Sequence, residues 1–429
     1  MSVFGKSVLK RIDWLTILLY VLLAGIGWLN IYSSTYSENA TSIFDFSQLY
    51  GKQLFFIAVS IIAIIIILAL ETSFFERFSS ILYIISLVSL LGLFVLGKTV
   101  AGATSWYNLG FFNLQPSEFA KIATALALAK YLSDIQTDIN RRKDQLYAFL
   151  IIFIPAILII PQPDPGSALV FLALIFVLFR EGVPLFYLAI GFLLILIFVT
   201  TLMFGTIWVG IGLGLILILF FLLKKAALKV SIFPIFSFFV IAIAFSLSVN
   251  FVFNSVFEQR HRDRFGLWLR LEKDPNKLEE IRKTIGYNTY QSEQAIESGG
   301  FFGKGFLEGT RTKGGFVPEQ HSDYIFTTVG EEWGFIGTTT VIIIFTLLLL
   351  RLVHIAERQR SAFNRMYGYG VISILLVHYF INIGMVIGIL PTIGIPLPFF
   401  SYGGSSMLGF SILLFIFLKL DTNRLNEWR

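Results

Sequence analysis

The sequence predicts an all-α, polytopic transmembrane helical bundle of about twelve spans with one large extracytoplasmic loop. Three observations predict it. Hydrophobic residues make up 56% of the 429 and charged residues only 14%, where soluble domains carry roughly a quarter charged. Apolar runs near the roughly 20 residues that cross a hydrocarbon core about 30 Å thick recur from end to end. Basic residues gather in alternate gaps between those runs. A single integral membrane domain over residues 1–429 is expected, with 254–332 as its loop.

The spans fall at roughly 13–33, 51–70, 79–97, 117–132, 146–161, 167–180, 184–203, 205–223, 231–253, 333–351, 367–388 and 404–419. The first apolar run, Trp14 to Tyr32, follows Lys6, Lys10 and Arg11 but lacks a small-x-small cleavage site before a soluble body. It reads as a retained span rather than a removed signal. A cytoplasmic N-terminus leaves Arg77, Arg141, Arg142, Lys143, Arg180, Lys224, Lys225, Lys229, Arg351, Arg358, Arg360, Arg365, Lys419, Arg424 and Arg429 all inside. That is the pattern of the positive-inside rule. Loops at roughly 34–50, 98–116, 162–166, 254–332 and 389–403 then face outward. The largest exceeds about 60 residues and carries both signs, so its side rests on counting spans. The pair 184–203 and 205–223, the second weakened by Gly210, Gly212 and Gly214, can be removed as a unit without changing that count.

Orientation explains the net charge of +6, so nucleic acid is not an expected partner. The absence of cysteine excludes disulfide staples and thiol chemistry. No internal repeat marks an inverted-repeat transporter.

A charge in or beside the bilayer is expensive and is expected to have a partner and a task. In AGATSWYNLGFFNLQPSEFAK, residues 101–121, Pro116 can start a helix that carries Glu118 and Lys121 on one face. The pair reads as a structural ion pair or as a lysine poised for phosphate, and neither reading excludes the other. QPDPGSALV, from Gln162 to Val170, places Asp164 between two prolines, and a plain tight turn is a sufficient account.

The long loop holds Arg260, Arg262 and Arg264, then glycines 299, 300, 303, 305 and 309 around Lys304. These glycines would let backbone amides approach an anion, although no GxxxxGK[ST] pattern is present. Asp323 precedes Tyr324, Ile325 and Phe326, which sets a carboxylate at the membrane surface. It caps the next helix, or, partly desolvated, takes a proton from a sugar hydroxyl. Glu331 and Glu332 suit the start of a span and read as structural. His321 could tune Asp323, His354 sits by the cytoplasmic basic cluster, and His378 is expected to hydrogen-bond a neighbouring helix. No spacing suggests a zinc site. Asn382 to Ser406, NIGMVIGILPTIGIPLPFFSYGGSS, is broken by Pro and Gly. Such backbone is tolerated at membrane depth where protein covers it or a cavity is lined.

Five of these segments, QPSEFAK, QPDPGSALV, QSEQAIESGGFFGKG, PEQHSDYIF with EEWGFIG, and NIGMVIGILPTIGIPLPFFSYGGSS, in this order from about residue 100 onward, resemble the SEDS family (shape, elongation, division and sporulation), its RodA branch more than FtsW. The resemblance implies a peptidoglycan glycosyltransferase that uses lipid II as donor and acceptor during cell elongation. It implies a class B penicillin-binding protein and other elongation-complex membrane proteins as partners. It puts the essential acid on Asp323, the Glu and Lys pair on Glu118 and Lys121, and the arginine before the loop's first helix on Arg264. Lys304, Gln320 and Ser405 complete the implied substrate-binding set.

The acceptor 4-hydroxyl would attack the anomeric carbon with inversion, Asp323 taking the proton. Undecaprenyl pyrophosphate leaves, its charge met by Lys121, Arg264 and Lys304. A divalent cation such as magnesium could share that task, but no metal site and no other cofactor is legible in the sequence. Ser105 stands where many members carry Arg, and Ser322 and Tyr324 replace a commoner Thr and Phe. A lipid II flippase and a non-catalytic scaffold are the rival readings. Alternating access predicts charges near the midplane between repeats, which separates the first from an enzyme whose charges cluster at one face.

Overall fold

The computed structural model describes residues 10–36, 42–100, 102–110, 112–223, 232–255, 259–269, 286–424 and the single positions 271, 274, 279 and 283. Lys6, Lys224, Lys225, Lys229, Arg429 and the side chain of Arg260 lie outside them. The chain is mostly helical, 75% helix and 3% strand. It divides into two compact units, residues 1–183 with 291–429, and residues 184–290, so the expected loop 254–332 is shared between them. Each unit is described by itself.

The larger unit begins with α1 (Trp14–Thr35), α2 (Leu49–Ala69) and α3 (Thr72–Leu96). Asp13 caps α1, its carboxylate accepting from the Thr16 N–H at 3.0 Å and the Thr16 hydroxyl at 2.8 Å, which satisfies donors that a helix start leaves open. After α3 the chain forms a small antiparallel sheet, β1 (Lys98–Val100), β2 (Ala103–Asn108) and β3 (Asn113–Leu114), in the order β1-β2-β3. Lys98 pairs with Trp106 and Tyr107 with Leu114. An all-helical prediction misses this sheet because the strands are too short for alternation to show.

Then come α4 (Pro116–Ser133), α5 (Arg142–Ile159), α6 (Pro165–Phe171) and α7 (Ile175–Arg180). α4 has Pro116 at its first position and Glu118 in its first turn, both favourable at a helix N-terminus. Asp164 caps α6 by accepting from the Ser167 N–H at 3.0 Å. From residue 291 the unit continues with the end of α12 (Tyr287–Gly299), then α13 (Thr310–Lys313), α14 (Ile325–Glu357), α15 (Ala362–Val386) and α16 (Gly404–Thr422). α14 is broken at Gly334, where φ is 63° and ψ −156°. The span predicted from 333 matches the segment after that break; the turns before it begin at Ile325.

Burial inverts the hydropathy order. α15 and α16 are 72% and 83% buried over their most apolar windows, whereas α2 and α3 are 17% and 22% buried. Peripheral spans face lipid and must be almost wholly apolar, while central spans can carry polar groups that protein partners satisfy. Hence α4, with Glu118 and Lys121, falls outside the eight helices that pass as spans on length and composition, yet most of it is buried. Every expected span coincides with a helix except 167–180, which is divided between α6 and α7 by a 3-10 turn at Leu172–Leu174, and the third starts at Thr72 rather than near 79.

One end of this unit is an ion-pair clasp. Arg351 reaches Asp13, Arg358 and Arg424 reach Asp421, Arg365 reaches Glu181 and Arg180 reaches Glu357. At the other end of α1, Ser34 O accepts from Gln320 and Ser33 donates to Glu332. The 21 helical steps from Asp13 to Ser34 span about 30 Å at the helical rise, roughly the thickness of a bilayer core.

The smaller unit contains α8 (Leu185–Phe204), α9 (Thr206–Leu223), α10 (Ile232–Ser255) and α11 (Gln259–Trp268). Gly205, at φ 81°, makes the reversal between α8 and α9. Ile197, Val209 and Ala242 pack together, and the Thr201 and Ser246 hydroxyls meet at 2.8 Å. Phe265 of α11 lies edge-on to Phe198 at 5.5 Å.

Candidate active site

Lys121 is the most enclosed charge among the candidates, 2% exposed beside Glu118 at 3%. Its Nζ donates to Glu118 Oε1 at 2.9 Å and meets His378 Nε2 at 2.9 Å, and it stands 4.9 Å from the centre of the Phe410 ring. His378 Nδ1 lies 3.0 Å from the carbonyl oxygen of Pro396. A carbonyl only accepts, so Nδ1 carries the hydrogen and Nε2 of the neutral ring accepts from Lys121. The expected hydrogen bond from His378 to a neighbouring helix is therefore present, and its partner is the lysine of α4. Glu118 Oε2 is buried with no partner among the described residues.

Asp323 sits half-buried in the turn before α14. Its main-chain oxygen accepts from Asn382 Nδ2 at 2.8 Å, and the same amide donates to Ile395 O at 2.7 Å. Its carboxylate lies against Gly394: Oδ2 is 3.2 Å from where a Cβ on that residue would stand. Around it, Tyr324 Oη meets Thr392 Oγ1 at 3.1 Å and the Tyr402 N–H donates to His321 O at 2.8 Å. Burial holds the His321 imidazole below its ordinary pKa, with Glu319, 3.8 Å away, pulling the other way.

The interrupted segment predicted between the last two spans is partly covered by protein, with Ile395 and Leu397 buried and Ile389 and Gly394 exposed. Residues 391–397 have no regular structure, yet the Leu397 N–H donates to Ser401 Oγ at 2.9 Å and the Gly403 N–H to Gln53 Oε1 at 3.2 Å. These partners supply what a helix would have supplied internally.

The Gly-rich loop differs from expectation in one respect. Its glycines approach the protein's own backbone: a Cβ on Gly299 would stand 2.0 Å from Gly330 O, and one on Gly303 2.1 Å from Glu332 O. The anion held there is Glu331, fully buried, which accepts from Lys304 Nζ at 2.7 Å and from the Arg311 and Thr312 N–H groups at 2.9 and 2.8 Å. Those amides open α13, so the carboxylate completes a helix N-terminus belonging to the same fold. The structural reading of Glu331 and Glu332 holds, though they serve α13 and α1 rather than the start of their own span.

Of the implied substrate contacts, four are turned inward. Lys121 donates to Glu118 Oε1 and to His378 Nε2. Gln320 donates to Ser34 O at 2.9 Å and Thr312 O at 2.8 Å. Ser405 donates to Asn113 O at 3.2 Å and accepts from the Gln115 N–H at 3.0 Å. In the structure these four side chains are buried and bonded within the protein. Lys304 remains a quarter exposed. Arg264 lies half-buried on α11 in the smaller unit. Ser105 is buried, its hydroxyl turned to Gln162 O at 3.5 Å, so the side chain points into the bundle. Asn382 was not singled out by sequence reasoning; its signal is a second polar side chain four residues after His378 in an otherwise apolar span, hence on the same helix face.

Among the described residues no group of three or more His, Cys, Asp or Glu is placed to hold a metal ion.

A multi-pass helical membrane protein with a carboxylate at one bundle end, braced by buried polar residues of its central helices, is the class that fold and site define. Residues 13–209 and 199–426 match the model of the cell cycle protein family of FtsW, RodA and SpoVE. The peptidoglycan glycosyltransferase MrdB of Escherichia coli (strain K12) is 33% identical over 367 residues, covering 84% of this chain and 83% of MrdB. The peptidoglycan glycosyltransferase RodA of Treponema pallidum is 30% identical over 440 residues, covering 96% and 98%. A chain of a solved peptidoglycan synthase complex superposes with a TM-score of 0.69 at 24% identity, covering 96% of this chain and 98% of its own. The chain belongs to the FtsW/RodA/SpoVE family, the SEDS proteins, and is RodA-like.

Proposed function

We propose that this chain polymerises lipid II into glycan strands on the extracytoplasmic side of the bacterial cytoplasmic membrane during cell elongation, with Asp323 as general base. It is a peptidoglycan glycosyltransferase, as its relatives MrdB and RodA are named.

The observation that carries the role of Asp323 is its placement. A half-buried carboxylate stands at the end of the bundle opposite the arginine clasp, its backbone fixed by Asn382 and its side chain against a glycine that leaves space beside it. In the proposed reaction the acceptor's 4-hydroxyl attacks the donor's anomeric carbon with inversion. The hydroxyl proton passes to Asp323 and the bond to undecaprenyl pyrophosphate breaks. Lys304, a quarter exposed, would meet the charge that grows on the departing diphosphate. Glu118, Lys121, Gln320 and Ser405 act by holding the site rather than by touching the sugar.

The arginine clasp supports cytoplasmic termini by the positive-inside rule, and Asp323, at the other end of α14, is proposed to face outward. A class B penicillin-binding protein, together with other membrane proteins of the elongation complex, is the proposed partner, and the whole chain is proposed to work as one membrane domain. Purified protein with that partner and lipid II should yield glycan chains resolved on a gel, and Asp323→Ala should yield none. Polymer from Asp323→Ala at the wild-type rate removes the base assignment, and lipid II transport into liposomes without polymer would favour the flippase.

A further inference from the structure

We infer that Asn382 and His378 are positioning residues for Asp323, through which the buried Glu118 and Lys121 pair acts on the reaction without touching substrate. The inference rests on Asp323 being the base and adds the side chains that hold it in place.

Asn382 is fully buried, and both of its amide protons are used, on Asp323 O and Ile395 O. The amide orientation is forced, since exchanging oxygen for nitrogen would turn an acceptor toward two carbonyl oxygens. One side chain therefore ties the Asp323 turn to the extended segment at 395. One helical turn earlier on α15, His378 ties the next carbonyl, Pro396 O, to Lys121. Gly394, directly before this tied pair, is the residue against which the Asp323 carboxylate rests, and its φ of 80° admits a side chain only under strain.

The segment 394–396 is thus held from α4 by Lys121 through His378, and from α15 by Asn382, and it supports Asp323 through both main chain and carboxylate. Pulling either bond away frees 394–396 to shift. Catalytic rates respond steeply to such shifts, about a hundredfold for roughly 1 Å. The ion pair matters here because Glu118 holds the Lys121 ammonium where it also donates to His378.

The test measures lipid II polymerisation by the full-length protein with its partner, for Asn382→Leu, His378→Leu and His378→Asn. Asparagine at 378 keeps a donor near the Nδ1 position for Pro396 O but loses the acceptor for Lys121. Both leucine variants should lower kcat at least about tenfold with KM for lipid II within about twofold, and His378→Asn should recover part of the loss. Hydrogen exchange at 322–324 and 392–397 should quicken in the leucine variants while α1 and α16 stay protected, a readout that does not depend on turnover. Folded leucine variants with wild-type kcat, or with KM raised and kcat kept, overturn the inference, as does unchanged exchange at those segments. Wild-type turnover by Asp323→Asn would instead refute the base assignment, leaving the exchange result to judge the bracing alone.

Discussion

Replacing Lys121 by methionine puts a number on the buried ion pair. Methionine keeps the length and most of the volume of the lysine but carries neither charge nor donor. Glu118 Oε1 then loses the proton it receives at 2.9 Å, while Oε2 already has no partner. His378 Nε2 also loses its donor. Removing one member of a buried pair costs about 3–5 kcal/mol because the other is left uncompensated.

Glu118→Gln keeps an amide oxygen that can accept from Lys121, so its cost is smaller, on the order of 1–2 kcal/mol. The double variant removes both charges together and should be more stable than Lys121→Met alone, because no unpaired carboxylate remains. The assay is the thermal midpoint of detergent-solubilised protein, followed as monomer surviving on size exclusion after heating. The order expected is wild type, Glu118→Gln, double variant, Lys121→Met. A Lys121→Met midpoint equal to wild type, or a double variant whose loss equals the sum of the singles, would refute the reasoning.

Glu331→Gln leaves one acceptor oxygen where Lys304, Arg311 and Thr312 now share two. Stability should fall by on the order of 2 kcal/mol, with faster hydrogen exchange confined to 300–313. Gly303→Ala should be markedly destabilising because its Cβ would stand 2.1 Å from Glu332 O, whereas at Gly300 the space is open and the positive φ alone costs about 1 kcal/mol; equal midpoints for the two would contradict the packing. For pH, burial depresses the His321 pKa from its ordinary 6.5. The unfolded chain then binds the proton more readily, so this residue's contribution is complete above that ordinary value and is lost as pH falls through the lower, folded one. The thermal midpoint of wild type should drop more than that of His321→Gln between about pH 7.5 and 5, and parallel curves would show no such linkage.

How much was legible in the sequence follows from the range of each interaction. Membrane insertion, the helical class and the approximate spans are written in local hydrophobicity, because a bilayer demands apolar length and internally paired backbone wherever the chain crosses it. Helix starts at Asp13, Pro116 and Asp164 are equally local, each decided by one residue and the few N–H groups after it. The five motifs carried the family for the same reason: they are contiguous strings. The sequence also marked Asp323, Glu118 and Lys121 as charges in costly places.

What these charges do was decided by residues far away in the chain. Lys121 looked poised for phosphate until His378 and Phe410, more than 250 positions on, were seen to occupy it. The glycines near 303 looked like an anion cradle until they proved to admit the backbone of 330–332. Asn382, unremarked in an apolar span, became the brace of Asp323 because two loops bring carbonyls to its amide. Hydropathy and capping act over a few residues, but a buried polar group must find its partner wherever tertiary packing delivers one.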